Sequence, residues 1–167
     1  MSKLQTPLSN EDLEHHLGSQ KIVKYSDLKN YNSLYDLLPL KNDYCIILLE
    51  AEKNYGHWVV MIRQGKKFYY FNSYGKHYDT DKNYISKMML KILKQDRNEI
   101  QRLVIGSGLK KIWYNKEKMQ GDSQACGRYC CFIAIMSNLG YTPKESVEFL
   151  KKHKGEGSYD QLICSLV

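Results

Sequence analysis

The sequence predicts an α+β fold, a small central mixed β-sheet packed against helices, with a buried central helix that carries a cysteine at its N-terminus. Three observations predict it. Short apolar runs joined by a tight turn fill residues 44–72. The apolar period then switches to that of helices. Finally, Cys126 to Leu139 is apolar almost throughout, as expected of a helix surrounded by its own domain. Hairpin-linked strands followed by segregated helices argue α+β.

The elements follow in order. Ser9-Asn10-Glu11-Asp12 reads as a capping box opening a short helix through Leu17, ended by Gly18. Residues 44–50 (YCIILLE), 57–63 (HWVVMIR) and 67–72 (KFYYFN) read as strands, with Gln64-Gly65-Lys66 as the hairpin turn between the last two. Ile85, Met88, Met89, Ile92 and Leu93 keep helical spacing, which predicts an amphipathic helix over residues 81–94. Gln101 to Ile105 reads as a fourth strand and Ile112 to Tyr114 as a fifth. After the central helix, which Gly140 ends, Thr142-Pro143-Lys144-Glu145 forms a second capping box with proline at the first helical position. Ser158 to Leu166 closes the chain as a last helix.

Length and composition bound the function classes. A chain of 167 residues suits a single domain, residues 1–167, and 43% hydrophobic with 26% charged residues is globular usage. No apolar run approaches the ~18 residues that span a bilayer, and the first sixteen residues carry no apolar stretch or cleavage-site pattern, so no membrane partner and no secretory signal are expected. Five cysteines, Cys45, Cys126, Cys130, Cys131 and Cys164, are odd in number and irregular in spacing, which argues for reduced thiols. The net charge of +7 is spread along the chain. It permits non-specific contact with DNA, and no sequence-reading motif accompanies it.

Cys126 follows a polar loop and opens a buried helix. A helix N-terminus offers unpaired N–H groups and the positive end of the dipole, both of which favour a thiolate. Gly127 places no side chain against a carbonyl approaching the sulfur. Taken alone, a cysteine in an apolar helix is more often structural, which is how Cys130 and Cys131 read; Cys45 and Cys164 read as core residues too. A nucleophilic cysteine needs a base. Of the five histidines, His15 and His16 lie on a polar helix, and His77 and His153 lie in charged stretches. His57 begins a hydrophobic strand between Gly56 and Trp58. The hairpin brings Asn72 to the same open end, where its amide oxygen can orient the imidazole, although Asn72-Ser73-Tyr74-Gly75 is also an ordinary turn sequence. Gln120, six positions before Cys126, can supply an oxyanion donor beside the Cys126 backbone N–H. Gln124 competes for that place and reads as shaping the loop.

At these residues the chain resembles a known clan. Gly56-His57-Trp58, Tyr70-Phe71-Asn72-Ser73-Tyr74-Gly75 and Gln120-Gly-Asp-Ser-Gln-Ala-Cys126-Gly-Arg-Tyr-Cys130 are similar to the adenovirus-type and ubiquitin-like-protein-specific cysteine peptidases, over roughly residues 45–139. The clan's order is histidine, an acid or its substitute, glutamine, cysteine, whereas papain-like enzymes put cysteine first. Small size, the run around Lys24-Tyr25-Ser26-Asp27-Leu28 and the strands themselves are similar to the maturation peptidases of virophages, polinton-type elements and large DNA viruses. The resemblance implies a thiol endopeptidase acting on capsid or core precursors, in the virion and the viral factory of the host cytoplasm. It implies no cofactor, with stimulation by DNA or an activating peptide as in adenoviral members and Cys45 or Cys164 as guesses for a tether. It also implies that Gly56, Trp58 and Gly127 border a groove that admits small side chains. The chain departs from the pattern at Asn72, where relatives usually carry an acid. Either the amide serves, or Asp79 or Asp81 takes the acidic role.

Three rivals compete with this reading. One is the same chemistry on ubiquitin-like modifiers. Another is a catalytically silent, nucleic-acid-associated virion protein. The last is a zinc site built from Cys126, Cys130, Cys131 and His153, against which the absence of paired C-x₂-C spacing argues.

Overall fold

A computed structural model describes residues 2–17 and 22–167. Five strands form one mixed sheet in the order β1 (Ile22–Lys24), β2 (Asn42–Glu52), β3 (Tyr55–Gln64), β4 (Lys67–Phe71) and β5 (Trp113–Tyr114). The middle three strands pair antiparallel, and β1 and β5 pair parallel to β2 and β4 at the two edges.

Alternation along the strands splits the core between two faces. Ile46, Leu48, Trp58, Val60, Ile62, Tyr69 and Phe71 point to one face. There they meet α1 (Asn10–Leu17), α5 (Cys126–Asn138), α6 (Pro143–His153) and α7 (Tyr159–Leu166). Cys45, Ile47, Leu49, Val59, Met61, Phe68 and Tyr70 point to the other. They meet a 3-10 turn over Tyr25–Asn30, α2 (Leu34–Leu37) and α4 (Glu99–Gly106). With both faces covered, β2 reads as one uninterrupted apolar run rather than an alternating one.

The α+β architecture is as the sequence predicts, the expected capping boxes at Ser9 and Thr142 form, and the last helix carries a further one at Ser158. The expected stop at Gly18 lies outside the described residues. Two elements differ. Residues 101–105 are not a strand but the body of α4. Ile100, Leu103 and Val104, spaced i, i+3, i+4, are buried as one stripe, so helical period prevails over β-branched composition. Asp79 stabilises this helix from outside, accepting hydrogen bonds from the N–H groups of Ile100 (3.2 Å) and Gln101 (2.8 Å). The helix expected over residues 81–94 contracts to α3 (Lys87–Ile92), preceded by a 3-10 turn at Thr80–Lys82. Buried Lys82 ends this turn early: its Nζ donates to the carbonyls of Gln95 (2.7 Å) and Arg97 (2.6 Å).

Candidate active site

The first turn of β3 sets the site. Gly56 pairs with Glu50 beside an irregularity in β2, and a Cβ there would lie 1.9 Å from the Leu49 carbonyl oxygen. Only glycine permits that approach. The next two side chains go to opposite faces. Trp58 turns toward α5, where its Nε1–H donates to the Leu8 carbonyl at 3.1 Å. His57 shares the parity of Val59 and Met61 and lies on the other side of the sheet.

Asn72 follows the last residue of β4. Its main chain is held by Asn115, whose Oδ1 accepts the Asn72 N–H (3.0 Å) and whose Nδ2 donates to the Asn72 carbonyl (2.7 Å). This amide stands where a strand partner would. The Asn72 side chain meets His57 Nε2 at 2.8 Å through Oδ1. That oxygen also accepts the Tyr74 backbone N–H at 2.9 Å, and Nδ2 donates to Asp81 Oδ2 at 3.0 Å. A backbone donor on one side and a carboxylate acceptor on the other fix which end of the amide is oxygen. His57 therefore donates from Nε2, which leaves Nδ1 as its free ring nitrogen. The Tyr74 ring stacks on the imidazole, 4.8 Å between centroids.

Behind the amide lies an acid. Asp81 accepts the Tyr70 hydroxyl as well as Asn72 Nδ2 through Oδ2. Its Oδ1 is buried with no hydrogen-bond partner among the described residues. Burial pushes the carboxyl up to about 6 against the pull of these donors. Of the two acids weighed against Asn72 from sequence, Asp79 is committed to α4 and to the Tyr25 hydroxyl. Asp81 stands one residue removed from the imidazole, with Asn72 between them.

Gln120 reaches the site because the N–H groups of Met119 and Gln120 donate to the Ser73 carbonyl, at 2.8 and 2.9 Å. Its side chain is clamped: Oε1 accepts from Ser73 Oγ (2.6 Å) and Nε2 donates one proton to the Ser123 carbonyl (2.7 Å). The amide has a second N–H to offer. Gln124 also reaches the cleft, while its backbone N–H ties the loop to the Leu4 carbonyl (2.7 Å).

Cys126 is the first residue of α5, and no side chain caps the helix before it. The expectation of a lowered thiol pKa is corrected here. The N–H groups of Trp58, Gly127 and Cys126 itself favour the thiolate, but burial outweighs them and raises the pKa. His57 moves the opposite way, lowered to about 4 by burial against the raising effect of Asn72. Both shifts favour the neutral thiol and the neutral imidazole. Asn72 opposes the shift at His57, but an amide brings no charge to stabilise imidazolium, and burial prevails.

His57, Asn72, Gln120 and Cys126 line one cleft of about 550 Å³, with Tyr55 and Tyr84 among its other walls. A second groove of about 490 Å³ shares Tyr55 and Gly56 with it and runs past Trp58 and Leu8. Gly127 does not border the cleft. A Cβ there would come within 3.0 Å of Leu8 and 3.4 Å of Trp58, so its missing side chain is room for packing rather than for substrate. Cys130 and Cys131 are wholly buried in the core, and His153 stacks on Phe149 with Nδ1 at the Phe149 carbonyl. Among the described residues no group of three or more His, Cys, Asp or Glu is arranged to hold a metal ion. No helix among them is long and apolar enough to cross a membrane.

The chain is 33% identical over 137 residues to "Uncharacterized protein V9" of Sputnik virophage, an alignment that covers 79% of this chain and 77% of that one. The chain belongs to this virophage protein's family. No family model matches the sequence. The relationship associates the chain with virophages.

Sequence reasoning missed Ser73, Tyr74 and Asn115, which hold the site residues from behind. Ser, Tyr and Asn in loops carry no periodic signal, and their partners lie 43 to 47 residues away for Asn115 and Ser73.

Proposed function

We propose that the protein is a thiol endopeptidase that cleaves capsid or core precursor proteins of a virophage-type particle. The observation that carries the reading is the bonded His57–Asn72 pair and the helix-opening Cys126 in one cleft. Cys126 supplies the sulfur. As it bonds to the scissile carbonyl carbon, its proton passes to His57 Nδ1, while Asn72 holds the ring through Nε2. The oxyanion develops toward the second N–H of Gln120 and the N–H of Cys126. The imidazolium then returns the proton to the leaving amine. Water, deprotonated by the same nitrogen, releases the acyl group and restores the thiol. Because the resting pair is neutral, His57 acts as a general base during attack rather than as the counter-ion of a standing thiolate. Gly56 and Trp58 line the adjoining groove, which receives the substrate backbone and its small side chains. An enzyme acting on such precursors would work in the virion and the viral factory.

The test is incubation of wild type and Cys126→Ala with particle precursor proteins, read by mass spectrometry. Discrete fragments are expected from the wild type alone. Equal fragments from both proteins remove the assignment. Diglycine-tailed ubiquitin-like probes run in parallel separate precursor processing from modifier removal.

A further inference from the structure

Just after a wall of the cleft, the chain carries an exposed apolar row that the chemistry does not use. Tyr84 lines the cleft and is 61% exposed, and α3 begins three residues later. Met88 is 70% exposed and Ile92 62%, and no residue of α3 is buried. The two side chains stand one turn apart on the same row. Lys87 and Lys91, also one turn apart and both exposed, form the adjacent row, and exposed Lys94 follows the helix.

This is not a loosely held turn. Ser86 caps the helix through the Met89 N–H. Just beyond it, Gln95 is fully buried and pairs with both backbone groups of Glu50, at 2.9 and 2.8 Å. Lys82 grips the carbonyls on the far side. A rigidly anchored helix that keeps its apolar row in water is the pattern of a contact surface.

We infer that the Tyr84–Met88–Ile92 surface docks an acidic segment with apolar anchor residues, carried by the protein substrate outside the bonds being cut. Charge complementarity selects this occupant: apolar side chains would cover Met88 and Ile92, and carboxylates would meet Lys87, Lys91 and Lys94. A second copy of the chain would set the same lysines against each other. A membrane surface fits poorly, because six residues of helix present only ~9 Å of apolar row, short of the extended helices that lie in bilayer interfaces. Continuity with the cleft through Tyr84 ties the occupant to the substrate. That last step rests on the peptidase reading, while docking itself does not.

The experiment uses the full chain and two fluorescein-labelled twelve-residue peptides with the same Leu and Phe positions, one filled in with Glu and Asp, the other with Lys. Fluorescence anisotropy is expected to show the acidic peptide binding at least tenfold more tightly. Met88→Asp with Ile92→Asp is expected to weaken it at least tenfold, and Lys87→Glu with Lys91→Glu to reverse the preference. Thermal melting of each variant verifies folding, since all four side chains are exposed. Equal binding of both peptides, or unchanged binding by the Met88→Asp/Ile92→Asp protein, overturns the proposal. So does co-sedimentation with phosphatidylglycerol vesicles without peptide binding, or a concentration-dependent dimer abolished by the same substitutions. Precursor cleavage by the wild type reports separately: cleavage without peptide binding removes the docking surface alone, and peptide binding without cleavage removes the peptidase alone.

Discussion

Helices α5 and α3 are written in similar letters and meet opposite surroundings. Ten of the thirteen residues of α5 are buried, from Cys126 to Ser137, while α3 buries none of its six. Cys126 of α5 lines the cleft, and Tyr84, which precedes α3, is another of its walls. An apolar row states that a surface seeks cover, and only the rest of the fold says whether the domain supplies it. In α5 the cover is the sheet and three helices, which immobilises the sulfur. In α3 the cover is absent, which leaves a rim for something else.

The comparison breaks first at Cys126 and His57. Substituting either by alanine is expected to lower cleavage of a precursor by about 10⁴-fold or more, since members of such a set act as a unit. Melting temperatures should stay near that of the wild type. A residual rate within tenfold would mean that α5 holds a structural cysteine and nothing more.

Stability should separate the helices next. Ile133 is fully buried in α5, so Ile133→Ala is expected to cost about 3 kcal/mol in urea unfolding. Met88→Ser on α3 should stay within about 0.5 kcal/mol. Comparable losses at both positions would show that α3 is packed in solution.

The layer behind His57 should show smaller effects on rate. Asn72→Ala leaves the imidazole unoriented and is expected to cost ~10²-fold in kcat with little change in KM. Asp81→Asn keeps the size and should cost about tenfold, because misplacement of Asn72 is then partial. Its distinguishing mark is in the pH dependence of stability. The Asp81 carboxyl is raised to about 6 from 3.8, so folding favours its protonated form. That contribution is complete below 3.8 and is lost as pH rises through 6. Asp81→Asn should therefore gain on the wild type between pH 4 and 7. His57, lowered to about 4 from 6.5, contributes stability above 6.5 that is lost as pH falls toward 4. His57→Gln should gain on the wild type in that direction. Chemical denaturation at half-unit pH steps separates the two. Parallel curves for all three proteins would remove both assignments.

Alkylation sharpens the picture of the resting site. With the Cys126 thiol raised by burial, its rate of reaction with iodoacetamide should climb with pH beyond 9. A plateau from pH 5 upward would indicate a standing ion pair instead.

Much of this was legible in the sequence, for definable reasons. Period-2 and continuous apolar runs gave β2, β3 and β4, and the polar loop before an apolar helix gave Cys126. Short elements were not legible. β1 has three residues and α2 four, too few for a period to register. Residues 101–105 read as a strand, but Ile105 is exposed and Ile100 joins Leu103 and Val104 in a buried helical stripe. In the site, His57, Asn72, Gln120 and Cys126 follow from chain order and the hairpin. Gly127 did not keep its expected role, because the position of Leu8 is a tertiary fact. The direction of the thiol shift was also hidden: helix position can be read from sequence, but the degree of burial that overrides it cannot.

The most direct measurement is intact-mass and peptide mapping after exposure to a glycine-ending peptidyl vinyl sulfone, a trap that needs both a nucleophilic sulfur and a nearby proton donor. One adduct, on Cys126, is expected in the wild type and none over the same time in His57→Ala. Adducts spread over the five cysteines, or an unreacted Cys126 alongside a modified neighbour, would contradict the pairing of that sulfur with that imidazole.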